Sequence, residues 1–328
     1  MRIGLVIVTY NSATLIERAL QAIAAQTRRP DKVVVVDNES SDGTLEVVRR
    51  AASVFPVPVD VVTAGGNIGF AAANNLAVQR LSDCDLIALM NPDVFPSTTW
   101  LAALEAAASA HPEAASFATR LMMDDAPDRL DGAGDVCHVS GLAWRWGPGQ
   151  AIADAPLALE SRAVFSACAG AALYRRDDWV AVGGFDERFF CYMEDVDLGF
   201  RLQAQGRTCW YVADAVARHV GSASSGAGAP FAVYHGHRNL EWVFAKNMPA
   251  SLMLRYAVSH LVMCTAALAW LTIQGHAWTF LRAKWHAIVR LPEFARDRQR
   301  HRIPASRLLP MLSRESLLKR LGSRLGPA

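Results

Sequence analysis

The sequence predicts an α/β protein with a Rossmann-like doubly wound mixed sheet, followed by a C-terminal helical extension. Three observations predict this fold class. Four short apolar runs in the first 95 residues alternate with segments of helical periodicity. Polar residues follow these runs, and the carboxyl ends of strands are where such sheets bind ligands. Past residue 250 the chain becomes apolar and then basic, which indicates a separate helical segment.

The predicted strands are continuous apolar runs, as expected for strands buried on both faces of a sheet. They cover residues 3–8, 33–36, 57–62, 86–90, 167–174 and 209–212. Leu15, Ala19 and Ile23 form the apolar stripe of a first helix, and residues 45–52 form a second. The region from Trp100 to about Gln150 is less regular, and we expect either an ordinary surface segment or a mobile acceptor loop there.

An acidic helix is predicted from residue 194 to Gly206. Val196 and Phe200 share one side of it, and Gly206 is the residue type that ends a helix in the left-handed conformation. Glu194 and Asp195 therefore lie at the helix N-terminus, where backbone N–H groups favour negative charge. One interpretation is that both are capping acids and that Asp197 pairs with Arg201; the other is that they carry chemistry.

Several classes of function are not favoured. A net charge of +2 does not predict nucleic-acid binding, and six scattered cysteines suit a reducing, cytoplasmic compartment. The glycines at 65–69 follow the third strand and match neither a dinucleotide fingerprint nor a P-loop. The pentapeptide at 238–242, Arg-Asn-Leu-Glu-Trp, lacks the Gln-x-x-Arg-Trp order of polysaccharide synthases, and we discounted it.

Five motifs carry a family resemblance when they are taken together and in order. They are VTYN at 8–11, VVVVDNESSDGT at 33–44, NIGFAAANN at 67–75, MNPDV at 90–94 and GGFDERFFCYMEDVDLGFR at 183–201. Over roughly residues 3–250 the chain resembles family 2 glycosyltransferases, especially the bacterial rhamnosyltransferase-like branch. The resemblance implies a GT-A fold and inverting transfer of a sugar from a nucleotide sugar. The implied divisions are 1–95 for nucleotide-sugar binding and 96–250 for the acceptor and catalysis. The apolar and basic pattern beyond them predicts membrane-associated helices at 251–305 and a basic tail at 306–328.

The resemblance also implies site residues, position by position. The nucleotide sugar would be held by Thr9, Asp37, Asn38, Asn67, Asn91 and Asp93. A divalent metal, Mn²⁺ or Mg²⁺, would bind Asp93 and the donor diphosphate, with His219 assisting. Asp195 would be the general base, with Glu194 beside it in the catalytic pair. Many members have Asp-x-Asp at the metal motif, whereas this chain has Asn91-Pro92-Asp93 with one carboxylate.

The branch suggests L-rhamnose from dTDP-rhamnose as donor and a polyprenyl-linked or cell-surface glycan as acceptor. A hexose from a UDP-sugar remains an alternative. An inactive nucleotide-sugar-binding protein would be expected to lack Asp93 or Asp195, and both are present. A nucleotidyltransferase would need a basic, glycine-rich loop after the first strand, where this chain has Val-Thr-Tyr-Asn-Ser-Ala-Thr.

The C-terminal segment predicts contact with a membrane surface. The uncharged stretch at 261–273 is too short to be a convincing span, which needs about 20 residues. Trp278, Leu281, Trp285 and Ile288 then recur at helical spacing among basic residues, as in helices that lie on an anionic bilayer. We therefore expect peripheral attachment to the inner face of the plasma membrane through residues 250–305. The alternative is a helical hairpin packed on the domain, followed by a solvated basic tail.

Overall fold

The fold is described by a computed structural model covering residues 1–221, 230–298 and 303–316. The strands are β1 (Ile3–Thr9), β2 (Lys32–Asp37), β3 (Val59–Thr63), β4 (Leu86–Met90), β5 (Val94–Pro96), β6 (Ala114–Met123), β7 (Leu130–Ala133), β8 (Asp135–Cys137), β9 (Ala143–Arg145), β10 (Arg162–Val164), β11 (Ala171–Arg175) and β12 (Thr208–His219). The α-helices are α1 (Ile16–Ala24), α2 (Thr44–Ala52), α3 (Phe70–Gln79), α4 (Trp100–Ala110), α5 (Arg176–Ala181), α6 (Glu194–Ala204), α7 (Pro230–Asn247), α8 (Ala250–Arg255), α9 (Ala257–Ile273), α10 (Ala277–Asp297) and α11 (Ala305–Leu308).

One mixed sheet runs through the described chain in the order β10-β12-β6-β11-β4-β1-β2-β3, with β5 paired to β12 and β7 to β6. The pairs β1-β2, β1-β4 and β2-β3 are parallel, as predicted for the first part of the chain. Strand β11 runs antiparallel to both β4 and β6 and joins this parallel half to the rest of the sheet. The predicted doubly wound mixed sheet is confirmed.

The sheet is buried on both faces because successive side chains of its strands point to opposite sides. In β1, Leu5 and Ile7 pack in one apolar layer with Ile16 of α1, whereas Val6 and Val8 pack in the other layer. This two-sided burial explains why the strand is a continuous apolar run.

The expectation of irregular structure between Trp100 and Gln150 was wrong for its first part. Trp100 begins helix α4, and β6 that follows is a ten-residue strand inside the sheet. Two buried polar residues, Ser116 and Thr119, interrupt the apolar run of β6. Thr119 is satisfied because its hydroxyl accepts a hydrogen bond from Trp100 Nε1 at 2.8 Å. The strand predicted at 209–212 likewise continues to His219, through an irregularity between Val212 and Val216.

The C-terminal helices pack against the acidic helix α6 and share a third apolar core with it. Val196 and Phe200 of α6 lie in this core with Trp242 of α7 and Phe294 of α10. The rings of Trp242 and Phe294 stack with centroids 4.4 Å apart, and Phe189 meets both edge-on. One side of these helices therefore packs on the domain, as the hairpin alternative predicted.

Of the helices described, none is both long and apolar enough to cross a membrane. The predicted basic tail is covered only in part, because residues 299–302 and 317–328, among them Arg300 and Arg302, lie outside the described residues.

Candidate active site

The four residues predicted to hold the nucleoside come together at the carboxyl edge of the sheet. Thr9 ends β1 and Asp37 ends β2, and the Thr9 hydroxyl donates to Asp37 Oδ1 at 3.0 Å. Asn38 follows directly, and its Nδ2 donates to Asn67 Oδ1 at 2.9 Å. Asn38 Oδ1 in turn accepts from the N–H of Ile68 at 2.9 Å. Parallel pairing brings these strand ends side by side, which is the usual ligand crevice of such sheets.

A glycine lets the acidic segment approach this pocket closely. Gly69 has φ +86°, a conformation that favours glycine, and a Cβ there would lie 2.5 Å from the Phe190 ring. The N–H of Ala71 donates to the Phe190 carbonyl at 3.1 Å. The donor pocket and the segment before α6 are therefore in direct contact.

The two residues predicted to bind a metal also meet. Strand β5 begins at Val94, and β12 pairs with it so that His219 lies opposite Val94 and next to Asp93. His219 Nε2 is 3.4 Å from Asp93 Oδ2, and both side chains are buried. A carboxylate oxygen and an imidazole nitrogen suit Mn²⁺, and two protein ligands leave positions for diphosphate oxygens. The donor set fits a divalent metal once the imidazole has lost its Nε2 proton.

A third residue orients this histidine, and the sequence did not single it out. Asp131 of β7 accepts from His219 Nδ1 at 2.8 Å, which leaves Nε2 directed at Asp93. Metal-binding histidines commonly have such a carboxylate partner on the other ring nitrogen. Burial disfavours the charged imidazole, but hydrogen bonds to Asp131 and Asp93 raise the pKa of His219 to about 9. Arg145 forms an ion pair with the same Asp131 carboxylate.

Arg145 links the metal side of the site to the acidic side. It ends β9, whose pairing with β8 places it opposite Asp135. Asp135 is buried and accepts a hydrogen bond from the Ser166 hydroxyl at 2.8 Å. Burial and the negative charge of Asp195 raise the pKa of Asp135 well above its usual range. The guanidinium of Arg145 therefore lies among the carboxylates of Asp131, Asp135 and Asp195, which would otherwise repel each other.

Asp195 lies in the first turn of helix α6, at the helix start that the sequence predicted. The helix begins at Glu194, and Gly206 follows its end with φ +87°. Asp195 Oδ1 accepts from the N–H of Val196 at 2.8 Å, and Oδ2 accepts from the N–H of Ala169 at 3.0 Å. Removal of the carboxyl group from water raises the pKa of Asp195, although these N–H groups and Arg145 oppose the shift. Asp195 as a whole residue is half-buried.

The other two carboxylates of α6 have different surroundings. Glu194 is 4% exposed, and its Oε2 has no hydrogen-bond partner within the described chain. Burial and the charge of Asp195 raise the pKa of Glu194 well above its usual range. Asp197 is fully buried, with Arg201 Nε at 2.8 Å, Lys246 Nζ at 2.9 Å and Asn247 Nδ2 at 2.8 Å. The predicted pair of Asp197 and Arg201 is confirmed, and it forms part of a larger structural network.

The metal motif and Asp195 meet at one loop between β10 and β11. The N–H of Asn91 donates to the Gly170 carbonyl at 2.8 Å, and the neighbouring Ala169 N–H holds Asp195. The backbone of Asn91 therefore contacts the same loop as Asp195, and Asp93 follows two residues later in the chain. The residues predicted to bind the nucleotide, the two predicted metal ligands and a carboxylate of raised pKa thus lie around the carboxyl ends of β1, β2 and β4.

A second cluster of metal-binding residue types lies away from this site. Glu241, His260 and Cys264 come together between α7 and α9. Lys284 forms an ion pair with Glu241, and His260 Nε2 lies 3.0 Å from the same carboxylate. Because these cations already neutralise Glu241, we interpret the cluster as an ion-pair network that joins the helices.

The chain is similar in sequence to known glycosyltransferases. The profile of Glycosyl transferase family 2 matches residues 5–178. N-acetylglucosaminyl-diphospho-decaprenol L-rhamnosyltransferase of Mycobacterium tuberculosis is 31% identical over 260 residues, which cover 73% of this chain and 82% of the relative. Rhamnosyltransferase WbbL of Escherichia coli is 27% identical over 223 residues, which cover 63% of this chain and 79% of WbbL.

Solved structures share the fold. The mannosyltransferase PcManGT from Pyrobaculum calidifontis, in complex with GDP-Man and Mn²⁺, matches with a TM-score of 0.57 at 19% identity, over 88% of this chain and 87% of that chain. GalNAc-T7 with UDP, GalNAc and Mn²⁺ matches with a TM-score of 0.61 at 14% identity, over 75% of this chain and 48% of that chain. This chain thus spans about half the length of GalNAc-T7. The family profile, the relatives and the fold together show that the chain belongs to the family 2 glycosyltransferases and is a transferase with the GT-A fold.

Proposed function

We propose that this glycosyltransferase moves L-rhamnose from dTDP-rhamnose, with inversion, to a polyprenyl-diphosphate-linked sugar acceptor. The sugar and the acceptor are suggested by the mycobacterial relative, whose name specifies both a rhamnosyl group and a decaprenol-linked acceptor. The single observation that carries the proposed chemistry is the meeting of Asp195 and the Asn91–Asp93 motif at the loop around Ala169.

The reaction is a single displacement. An acceptor hydroxyl oxygen forms a bond to the anomeric carbon of the sugar while the bond from that carbon to the diphosphate breaks. Asp195 takes the hydroxyl proton, and its raised pKa brings the carboxylate closer to the basicity that this transfer requires. Thr9, Asp37, Asn38 and Asn67 hold the nucleoside. Asp93 and His219 would hold a Mn²⁺ or Mg²⁺ ion, which would neutralise the charge that develops on the leaving diphosphate.

Asp195→Asn tests the assignment of the base. The amide keeps the size of the carboxylate but cannot accept the proton, so we expect turnover to fall by at least about 100-fold. Donor binding and the melting temperature should be retained. The assay follows release of dTDP from dTDP-rhamnose in the presence of a synthetic N-acetylglucosaminyl-diphospho-polyprenol. Near-wild-type turnover would show that another group is the base.

The choice of donor has its own control. The same assay with UDP-glucose tests the alternative of a UDP-hexose-dependent transferase, and detection of pyrophosphate instead of a nucleoside diphosphate would indicate nucleotidyl transfer. Binding of dTDP-rhamnose without turnover on any acceptor would favour an inactive sugar-nucleotide-binding protein.

We also propose peripheral attachment to an anionic membrane surface, where a polyprenyl-linked acceptor presents its headgroup. The supporting observation is an exposed apolar stripe along each of two consecutive helices. On α9 the stripe includes Val258, which is 75% exposed, and Leu261, which is 66% exposed. On α10 it includes Trp278 at 77% and Trp285 at 64%. Residues 250–298 contain six Lys or Arg and two Asp or Glu, so the segment complements anionic lipid.

Point substitutions test this attachment better than truncation. Removal of the C-terminal helices would also remove Phe294 from the core behind α6, so a truncated chain would report on folding. We expect Trp278→Ser with Trp285→Ser to weaken flotation with phosphatidylglycerol vesicles at least tenfold, because each buried aromatic contributes about 1.5–3 kcal/mol. Val54→Ser is a matched control, since Val54 is 84% exposed and lies far along the chain near α2. Equal flotation of all three proteins would contradict the proposed surface.

A further inference from the structure

The pentapeptide at 238–242, which did not match a polysaccharide-synthase signature, lies on α7 beside the segment that leads into the catalytic helix. Its first two residues, Arg238 and Asn239, are buried. Both contact backbone carbonyls just before Glu194 and Asp195. These contacts indicate that Arg238 and Asn239 act on the turn before α6.

The Asn239 amide gathers three carbonyl groups of this turn. Its Nδ2 lies 2.9 Å from the Phe189 oxygen, 2.8 Å from the Cys191 oxygen and 2.7 Å from the Tyr192 oxygen. Arg238 Nε donates to Asn239 Oδ1 at 2.9 Å, which directs the NH₂ group to the carbonyls. Arg238 Nη2 also donates to the Phe189 oxygen at 3.0 Å.

The turn has an unfavourable backbone conformation. Phe190, Tyr192 and Met193 have φ values of 66°, 70° and 70°, in the left-handed region that side chains other than glycine seldom adopt. Such a conformation persists only where the surrounding structure holds it. Met193 is the residue immediately before α6, so its conformation sets the direction in which the helix, and with it Asp195, begins.

We propose that Asn239, oriented by Arg238, is a positioning residue that holds the turn at 190–193 so that Asp195 faces the acceptor hydroxyl. The inference rests on the proposed role of Asp195 as base. Helix α7 thereby contributes to catalysis without touching the substrate. A displacement of a catalytic group by about 1 Å can cost about 100-fold in rate, so loss of this contact should affect turnover strongly.

The test compares two asparagines on the same helix. Asn239→Ala should lower kcat at least tenfold at saturating dTDP-rhamnose and acceptor, with the dissociation constant for dTDP within about threefold of wild type. Asn247→Ala is the matched control, because Asn247 is also buried and loses a 2.8 Å hydrogen bond, but to Asp197 instead of the turn. It should lower the melting temperature while kcat stays within about threefold. A loss of kcat no greater for Asn239→Ala than for Asn247→Ala would overturn the inference.

A glycine rescue separates positioning from a general loss of packing. Glycine adopts the backbone conformation of Met193 without steric cost. The double variant Asn239→Ala with Met193→Gly should therefore have a kcat at least about threefold higher than that of Asn239→Ala alone. Failure to recover would show that the amide does not act through the strained turn. If Asn239→Ala does not fold, Arg238→Met serves instead, since it removes the donor to Asn239 and keeps an apolar side chain near the Trp242 ring. Wild-type kcat in that variant would likewise contradict the inference.

Asp195→Asn, assayed in parallel, distinguishes the two proposals. If it keeps its activity, the assignment of the base fails and the positioning role fails with it. If it is inactive while Asn239→Ala has wild-type kcat, only the positioning role is overturned.

Discussion

If Asp93 and His219 hold Mn²⁺ as proposed, Asp131→Asn should weaken activation by Mn²⁺ without abolishing activity. Asp131 accepts a 2.8 Å hydrogen bond from His219 Nδ1, and His219 Nε2 faces Asp93. His219 would hold a metal ion through Nε2, and the Asp131 carboxylate would support it by accepting the hydrogen bond from the Nδ1–H group. An asparagine can still accept that hydrogen bond, but it carries no charge.

The expected magnitude follows from this change in the hydrogen bond. A hydrogen bond to a charged group contributes about 1.5–3 kcal/mol, whereas a neutral one contributes about 0.5–1.5 kcal/mol. The difference of about 1–1.5 kcal/mol corresponds to roughly tenfold in affinity. This agrees with the 10- to 100-fold losses usual when the partner of a metal-binding histidine is replaced. The Mn²⁺ concentration for half-maximal activity should therefore rise about tenfold, with kcat at saturating Mn²⁺ within about threefold.

The assay begins with exhaustive EDTA treatment and then restores Mn²⁺ in steps while dTDP release is measured. Asp128→Asn is the control, because Asp128 lies three residues before Asp131 on the same segment but is exposed. Full activity after EDTA would show that no metal is required. An unchanged Mn²⁺ requirement in Asp131→Asn would show that the histidine does not bind the metal in the orientation observed.

Three further predictions concern the donor pocket, the buried charges and the base. Gly69→Ala should raise the KM for the donor at least about tenfold, because its Cβ would lie 2.5 Å from the Phe190 ring at φ +86°; a donor titration measures it, and an unchanged KM would refute it. Asp197→Ala should lower the free energy of unfolding in urea by about 3–5 kcal/mol, since the buried Arg201 loses its carboxylate partner; a loss below about 1 kcal/mol would contradict this. The pKa of Asp195 is raised above 3.8, and a general base must be ionised to accept a proton. The value of kcat/KM should therefore begin to fall, as the pH is lowered, before pH 3.8 is reached. A fall in kcat/KM that occurs only at or below pH 3.8 would refute the shift.

Where the sequence carried a local signal, it predicted the fold well. Strands β1, β2 and β4 are apolar runs followed by polar residues, so both their position and the edge that carries Thr9 and Asp37 could be inferred. The acidic helix was equally clear, since Gly206 marks its end. Strand β6 was missed because Ser116 and Thr119 interrupt its apolar pattern, and only the tertiary fold shows that both are buried.

The site residues that were missed have a different explanation. Asp131 and Arg145 lie in segments without periodicity, and they meet the predicted residues only through long-range strand pairing. Arg145 lies opposite Asp135 because of the register between β8 and β9, and His219 reaches Asp93 because β12 continues beyond its predicted end. The one available signal was the density of acidic residues between 124 and 135, which is unusual for a plain surface loop.

The aromatic packing behind the acidic helix has a consequence for exchanging parts between relatives. Phe189 precedes the catalytic turn, Trp242 belongs to α7 and Phe294 to α10, and all three rings touch. A chimera that takes its nucleotide-binding and acidic segments from one enzyme and its C-terminal helices from another would therefore join two halves of a single core. Such grafts should fold stably only when these three aromatic positions come from the same parent.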